Sequence, residues 1–188
     1  MLEDAIKWNQ KHLEHPMPDT PSTLLVEFLP TLLNLDGRKA LDIACGNGRN
    51  SKFLAQNGFE CDSVDISEVA LSLFAHLPNI NTFQEDLDLF RPSIDSYDVV
   101  LNFYFLNREL FPSIIDTLKP NGIFLLETFI KESDGTNSSE IIDEKILNHN
   151  ELEEIFSDFK ILYNQSSYIT RREGQEAKII SFVAQKNE

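Results

Sequence analysis

The sequence predicts an α/β sandwich on a mostly parallel sheet, and three observations carry that prediction. From residue 39 onward, short β-like runs alternate with stretches of helical periodicity, the signature of strands joined by crossover helices. The chain ends in two β-like runs joined by a short polar turn, which suits an antiparallel hairpin closing one edge of the sheet. Residues 1–35 stand apart as two amphipathic helical stretches, so a helical extension precedes the sandwich.

The extension comprises helices around 2–14 and 22–33, split by HPMPDTP. KALDIA (39–44) reads as a first strand, nearly continuous in apolar residues. RNSKFLAQNG (49–58) is a short helix stopped by Asn57-Gly58, a left-handed cap. FECDSVDI (59–66) is the second strand, and Ser67 caps the helix EVALSLFAHL (68–77). NINTFQ (79–84) and YDVVLNF (97–103) are the third and fourth strands. In RELFPSIIDTL (108–118), Leu110, Ile114 and Leu118 share one face of a core-facing helix, with Phe111 and Ile115 beside them. Pro112 falls near the helix start, where its missing N–H costs little. Lys119-Pro120-Asn121-Gly122 then ends the helix, and GIFLLETF (122–129) is the fifth strand. The polar stretch KESDGTNSSEIIDEK (131–145) reads as a surface insertion. A helix near 150–157 precedes FKILYNQSSYI (159–169) and AKIISFVAQ (177–185), the hairpin joined by TRREGQE.

Charge narrows the function. The 188 residues carry 16 Lys and Arg against 31 Asp and Glu, a formal net charge of −15, which argues against a surface that tracks nucleic-acid phosphates. Small molecules are the expected substrates. No apolar run approaches the roughly 18 residues of a membrane span, and the start has no signal-peptide core. Cys45 and Cys61 are too few for a disulfide framework or a Cys-rich metal site, so they read as buried thiols and no metal is expected. A single domain over 1–188 in the cytoplasm is the expectation, with 1–35 as a cover over the substrate.

The stretch LDIACGNGRNS (41–51) carries the chemistry. Alone, two glycines spaced by one residue mark many tight turns. Here Gly46 and Gly48 stand at the carboxyl end of the first strand and open a helix, where doubly wound sheets bind ligands. Without a Cβ the backbone takes left-handed angles and a ligand approaches closely. Asp65 ends the second strand about 20 residues further on, the place of an acid that accepts hydrogen bonds from ribose hydroxyls. Ser67 already fills the helix-cap role, so Asp65 is left for a ligand and is expected to be dispensable for folding. Asp86 ends the third strand. Glycine loop and acids together fit an adenosine ligand laid across three strand ends. A dinucleotide prefers a third glycine where Ser51 stands, and Asp42 before the loop would repel a pyrophosphate. Asp42 would suit a cationic ligand.

These residues resemble a known family. ALDIACGNGRNSKFLAQNGFECDSVDIS, with YDVVLNFYFLNRELFPSIIDTLKPNGIFLLETF, resembles the class I S-adenosyl-L-methionine-dependent methyltransferases, and most of all their tellurite-resistance-type branch. The likeness covers roughly residues 39 to 130. It implies a Rossmann-like, seven-stranded sheet and S-adenosyl-L-methionine as cofactor. It further implies that Gly46, Asn47 and Gly48 cradle the methionine part, with Asp42 near its amino group. Asp65 would bind the ribose, Ile66 would pack on the adenine, and Asp86 and Leu87 would meet the adenine edge. Asn102 and Phe103 would face the reacting end. One position departs from the pattern: Ala44 stands where the family has glycine, which tightens the approach there.

The acceptor pocket is expected from the end of the fourth strand and the N-terminal extension, with Tyr104, Arg108, Trp8 and His15 as candidates. Arg108 is the cation expected to steer an anionic acceptor. A thiol or a soft selenium or tellurium centre is the acceptor class to which the resemblance points. The competing readings are a non-catalytic module that binds the same cofactor and a nicotinamide-dependent oxidoreductase.

Overall fold

The computed structural model describes residues 2–15, 17–137, 141–171 and 174–188. The extension forms α1 (Leu2–Glu14) and α2 (Thr23–Leu32). The alternating region gives β1 (Lys39–Ile43), α3 (Arg49–Gln56), β2 (Glu60–Asp65), α4 (Glu68–Ser72), β3 (Ile80–Gln84) and β4 (Tyr97–Phe103). It continues through α5 (Phe111–Thr117), β5 (Leu118–Phe129), α6 (Glu151–Ile155), β6 (Phe159–Thr170) and β7 (Glu176–Lys186). Among the described residues these strands make one seven-stranded sheet in the order β3-β2-β1-β4-β5-β7-β6. The first five strands are parallel, and β7 runs antiparallel between β5 and β6. The chain leaves β1 toward β2 and β3 and later returns on its other side as β4. That reversal opens a crevice at the carboxyl ends of β1 and β4.

The central strands are buried on both faces, while the edge strands β3 and β6 are largely open. On one side Leu24, Leu25 and Leu32 of α2, Leu54 of α3 and Leu71 of α4 pack on Ala40, Cys61, Val99 and Leu125. On the other, Phe111 and Ile114 of α5 and Leu152 of α6 pack on Leu41, Val64, Val100 and Phe124. The Phe-rich composition is concentrated here. Phe156 has the rings of Phe111, Phe124, Phe159 and Phe182 at centroid distances of 5.8, 5.0, 5.3 and 5.6 Å. Each such pair contributes about 0.5–1.5 kcal/mol beyond area burial.

Three elements differ from the sequence expectation. The helix expected over 68–77 stops at Ser72, because the bonds tighten to Leu73 N–H on Ala70 and Phe74 N–H on Leu71. The tightening turns Phe74 inward, fully buried. Residues 108–118 divide into a 3-10 turn at Arg108–Leu110 and the shorter α5. The segment Lys119–Gly122 lies inside β5 rather than before it: Leu118 pairs with Tyr97 and Ile123 with Val99, so the intervening residues bulge. Asn121 takes the left-handed backbone of that bulge (φ 64°). Parts of three sequence-predicted connections, at Pro16, 138–140 and 172–173, lie outside the described residues.

Candidate functional site

The loop after β1 turns through three left-handed residues, Ala44 (φ 54°), Gly46 (φ 55°) and Gly48 (φ 70°). Ala44 is therefore strained where glycine would not be, by roughly 1–2 kcal/mol. The loop's N–H groups are turned inward. Cys45 N–H donates to the Val64 carbonyl (3.1 Å), Gly46 N–H to Asp65 Oδ2 (2.8 Å) and Gly48 N–H to the Cys45 carbonyl (3.0 Å). Those three donors are unavailable to a pyrophosphate, which supports the argument against a dinucleotide made from Asp42 and Ser51.

Asp65 is 7% exposed and braces two elements at once. Its Oδ1 accepts the Ser67 N–H at 2.9 Å while Oδ2 holds Gly46. Each carboxylate oxygen keeps a second lone pair for a ligand hydroxyl. The expectation that Asp65 is dispensable for folding is corrected by these two buried bonds. Asp42 lies deeper, 2% exposed, and accepts the Ser51 hydroxyl at 2.6 Å. Burial pushes its carboxyl up to about 6, against the pull of the Ser51 bond and of Arg49. Beside the loop, Asn102 pairs in register with Ile43, and its Oδ1 is buried with no hydrogen-bond partner among the described residues. A buried orphan acceptor costs about 1–3 kcal/mol unless something donates to it.

Other expected residues are placed less directly. The ring of Phe74 fills the space where a Gly48 Cβ would stand, at 2.6 Å, so the missing side chain makes room for packing and only the Gly48 backbone is left to meet a ligand. The Asn47 amide donates to the carbonyls of Met17 (3.3 Å) and Pro18 (3.1 Å), tying down the N-terminal segment. Ile66 is half-buried at the end of β2. Asp86 is half-buried after β3, with Oδ1 accepting the Asp88 N–H at 3.0 Å. The Leu87 and Phe103 side chains pack into the two hydrophobic clusters. Cys45 and Cys61 are buried free thiols.

Among the acceptor-side candidates, Arg108 does not stand open to a substrate. Its guanidinium makes a two-pronged bond to Glu151 (2.6 and 2.9 Å) and donates to the carbonyls of Glu144 (2.9 Å) and Ile146 (2.8 Å). It buckles the 3-10 turn to the segment before α6. His15 is exposed on the outer side of α1, in a shallow groove with Glu3, Lys7 and Glu14. Trp8 is half-buried, with the Lys11 ammonium 4.3 Å over its ring. Tyr104 does stand at the strand end, in left-handed backbone (φ 59°), its hydroxyl donating to Glu127 Oε1 at 2.6 Å. Burial and the Glu127 bond raise its pKa, so the phenol stays protonated at neutral pH. Strain in a bulky residue at a sheet's carboxyl end is a mark of functional sites.

The residue missed by sequence reasoning is His12. The face of α1 turned to the domain is Ala5, Trp8, Asn9 and His12, spaced i, i+3, i+4, i+7. His15 is also seven residues from Trp8, but α1 ends at Glu14 and leaves it outside the helix. Asn9 Oδ1 accepts the Ser67 hydroxyl (2.7 Å) and the Val69 N–H (3.2 Å), seating α1 on the start of α4. His12 then lies over the glycine loop: a Cβ on Gly46 would stand 3.6 Å from its Cε1 and 3.4 Å from Met17 Sδ.

A family model described as a methyltransferase domain matches residues 12–168. The chain belongs to that family. It is 35% identical over 88 residues to a protein named probable S-adenosyl-L-methionine-dependent methyltransferase TehB from Haemophilus influenzae, which covers 43% of this chain and 31% of that one. It is 32% identical over 124 residues to the putative methyltransferase YqeM of Bacillus subtilis, covering 59% of this chain and 50% of the relative. The chain thus spans half or less of the length of these curated relatives. The crystal structure of TehB from Haemophilus influenzae superposes with a TM-score of 0.73 at 22% identity, covering 96% of this chain and 67% of that one, and shares its fold.

Proposed function

We propose that this protein transfers a methyl group from S-adenosyl-L-methionine to a small molecule, with a thiol or a soft chalcogen anion as acceptor. Family membership supplies the reaction class. The observation that carries the cofactor reading is the cluster of acceptors at one strand-end crevice: Asp42, Asp65 and the unpartnered Asn102 Oδ1, beside a loop whose amides face inward. Such a site suits a cationic ligand with ribose hydroxyls. Bound there, S-adenosyl-L-methionine supplies a methyl group already activated by its sulfonium charge. The protein's share is alignment and exclusion of water. Asp65 holds the ribose, Asp42 acts on the amino end by charge, and α1 with residues 17–22 covers the loop.

The acceptor side agrees with a nucleophile that arrives ionised. Tyr104 keeps its proton and donates it in a bond to Glu127, so this pair is a closed hydrogen bond and not a general base. Arg49, whose charge acts on both Asp42 and Tyr104, replaces Arg108 as the cation beside the pocket. The tellurite-resistance-type likeness points to the same soft acceptors. No helix among the described residues is long and apolar enough to cross a membrane, and the two free thiols suit a reducing cytoplasm.

Calorimetry with S-adenosylhomocysteine tests the cofactor. Asp65→Ala weakens binding by more than tenfold, from the loss of charge-assisted hydrogen bonds, and destabilises the fold by about 2 kcal/mol as Gly46 and Ser67 lose their partner. Unchanged affinity removes Asp65 from the site. Release of S-adenosylhomocysteine with thiols, selenite and tellurite, set against hydroxyl and amine acceptors, tests the substrate class. Turnover on hydroxyls or amines alone rejects it.

A further inference from the structure

The crevice is rich in hydrogen-bond acceptors, and the Arg49 guanidinium beside it donates to the Thr20 carbonyl at 3.3 Å. Asp42, Asp65 and Asn102 Oδ1 all accept, and Glu127 accepts from Tyr104 and from Ser181 (3.0 Å). A ligand ending in an amino acid brings one group this set repels, its carboxylate. Something must donate to it. The loop's own amides at Cys45, Gly46 and Gly48 are spent on β2 and on the turn. The Asn47 amide is spent on Met17 and Pro18.

His12 is a donor in the right place. It is 9% exposed, and among the described residues its ring is engaged by the neighbouring Trp8 and by the charge of Asp65 rather than by an ion pair. About one turn away, Asn9 fixes the helix by accepting from Ser67 and Val69, so the imidazole is held over Gly46. Trp8 flanks the imidazole, with ring centroids 6.2 Å apart. An imidazole and an unpartnered amide oxygen thus border one loop, one able to donate and the other able only to accept. A zwitterionic amino-acid end satisfies both.

We propose that His12 is a cofactor-positioning residue whose ring N–H binds the carboxylate of the methionine moiety, with Asn102 Oδ1 accepting from its ammonium. The assignment deepens the methyltransferase reading and depends on it. It also gives the N-terminal cover a chemical task, since the helix that closes the loop carries the group that recognises half of the ligand.

Two ligands separate this role from a structural one: S-adenosylhomocysteine, which has the amino-acid end, and 5′-methylthioadenosine, which lacks it. By calorimetry, His12→Ala weakens S-adenosylhomocysteine binding by about tenfold or more and changes methylthioadenosine binding by less than about twofold. His12→Gln, which keeps a side-chain N–H, recovers part of the lost affinity and serves in its place should the alanine variant not fold. His15→Ala on the outer face changes neither. Equal losses for both ligands, or no loss for either, overturn the assignment to His12. A wild-type protein that binds neither ligand overturns the cofactor reading itself.

Discussion

The two ends of the sheet hold buried acids in opposite conditions. At the amino end, Asp98 is fully matched: its carboxylate accepts the Lys39 N–H at 2.9 Å and lies 3.1 Å from the Lys119 ammonium through both oxygens. It also fills the space that a side chain at Gly37 would need, 2.2 Å from the Cβ position. Nearby, Asp62 accepts the Tyr97 hydroxyl at 2.8 Å and meets the Lys39 ammonium at 3.2 Å. At the carboxyl end, Asp42 and Asp65 have hydroxyl and amide partners but no ion pair among the described residues. Asn102 Oδ1 there has no hydrogen-bond partner among the described residues, and His12 lies beside the Trp8 ring with Asp65 acting on it by charge. A closed network is what a fold needs, and an open one is what a ligand needs. The comparison separates acids that the fold itself neutralises from acids it leaves open to a ligand.

The largest effect expected is on the closed end. Asp98→Ala leaves a buried backbone N–H and a half-buried ammonium without their carboxylate, and should cost about 3 kcal/mol in urea denaturation. Affinity for S-adenosylhomocysteine should stay unchanged, whereas Asp65→Ala loses affinity as well as stability. A matching loss of affinity would break the distinction between the two ends.

A pH series sharpens the same contrast. Asp42 titrates near 6 in the fold, against about 3.9 in an unfolded chain. Between those values the native state holds the proton more tightly, so Asp42's contribution is full below the lower value and is lost as pH rises through the upper one. The difference amounts to about 2–3 kcal/mol between pH 4 and pH 7. Asp42→Asn retains an acceptor for Ser51 and has no such titration. Its stability relative to wild type should climb by that amount over the range, read from denaturation at each pH. A constant difference would mean that Asp42 is not held as a buried acid.

The smallest effect is at Ala44. Replacing it by glycine removes the left-handed strain but loosens the unfolded chain, and should leave a net gain of up to about 1 kcal/mol. Thermal unfolding measures it. A loss would show that the loop tolerates alanine without strain.

What the sequence made legible follows from which interactions are local. The five parallel strands and the closing hairpin could be read from apolar runs and turn residues, because a strand's period and its stop signals lie within its own few residues. The glycine loop and Asp65 were legible for a related reason, since a crossover unit sets their spacing. Arg108 was misjudged as free, because its partner Glu151 lies in another element and no local pattern announces it. Gly48 was assigned to ligand contact because nothing near it in sequence reveals that Phe74 turns back against it. His12 was within reach, since its face of α1 follows from periodicity. His15 shares the spacing from Trp8 and is excluded only by where α1 ends, at Glu14, a boundary that HPMPDTP leaves loosely marked in the sequence.

Cys45 lies between Ala44 and Gly46, inside the loop proposed to meet the ligand, yet it is 8% exposed. Burial, with the charges of Asp42 and Asp65, holds its thiol well above the ordinary range. Thiolate is the form that attacks chalcogen oxyanions and oxidants, so this sulfur is chemically silent while the loop stays covered. An enzyme that handles thiol-reactive anions of the proposed class faces poisoning by its own substrates. On the proposed reading, the same cover and the same acids that would hold the cofactor also keep the nearest sulfur in its protonated form, out of reach of an acceptor of that class.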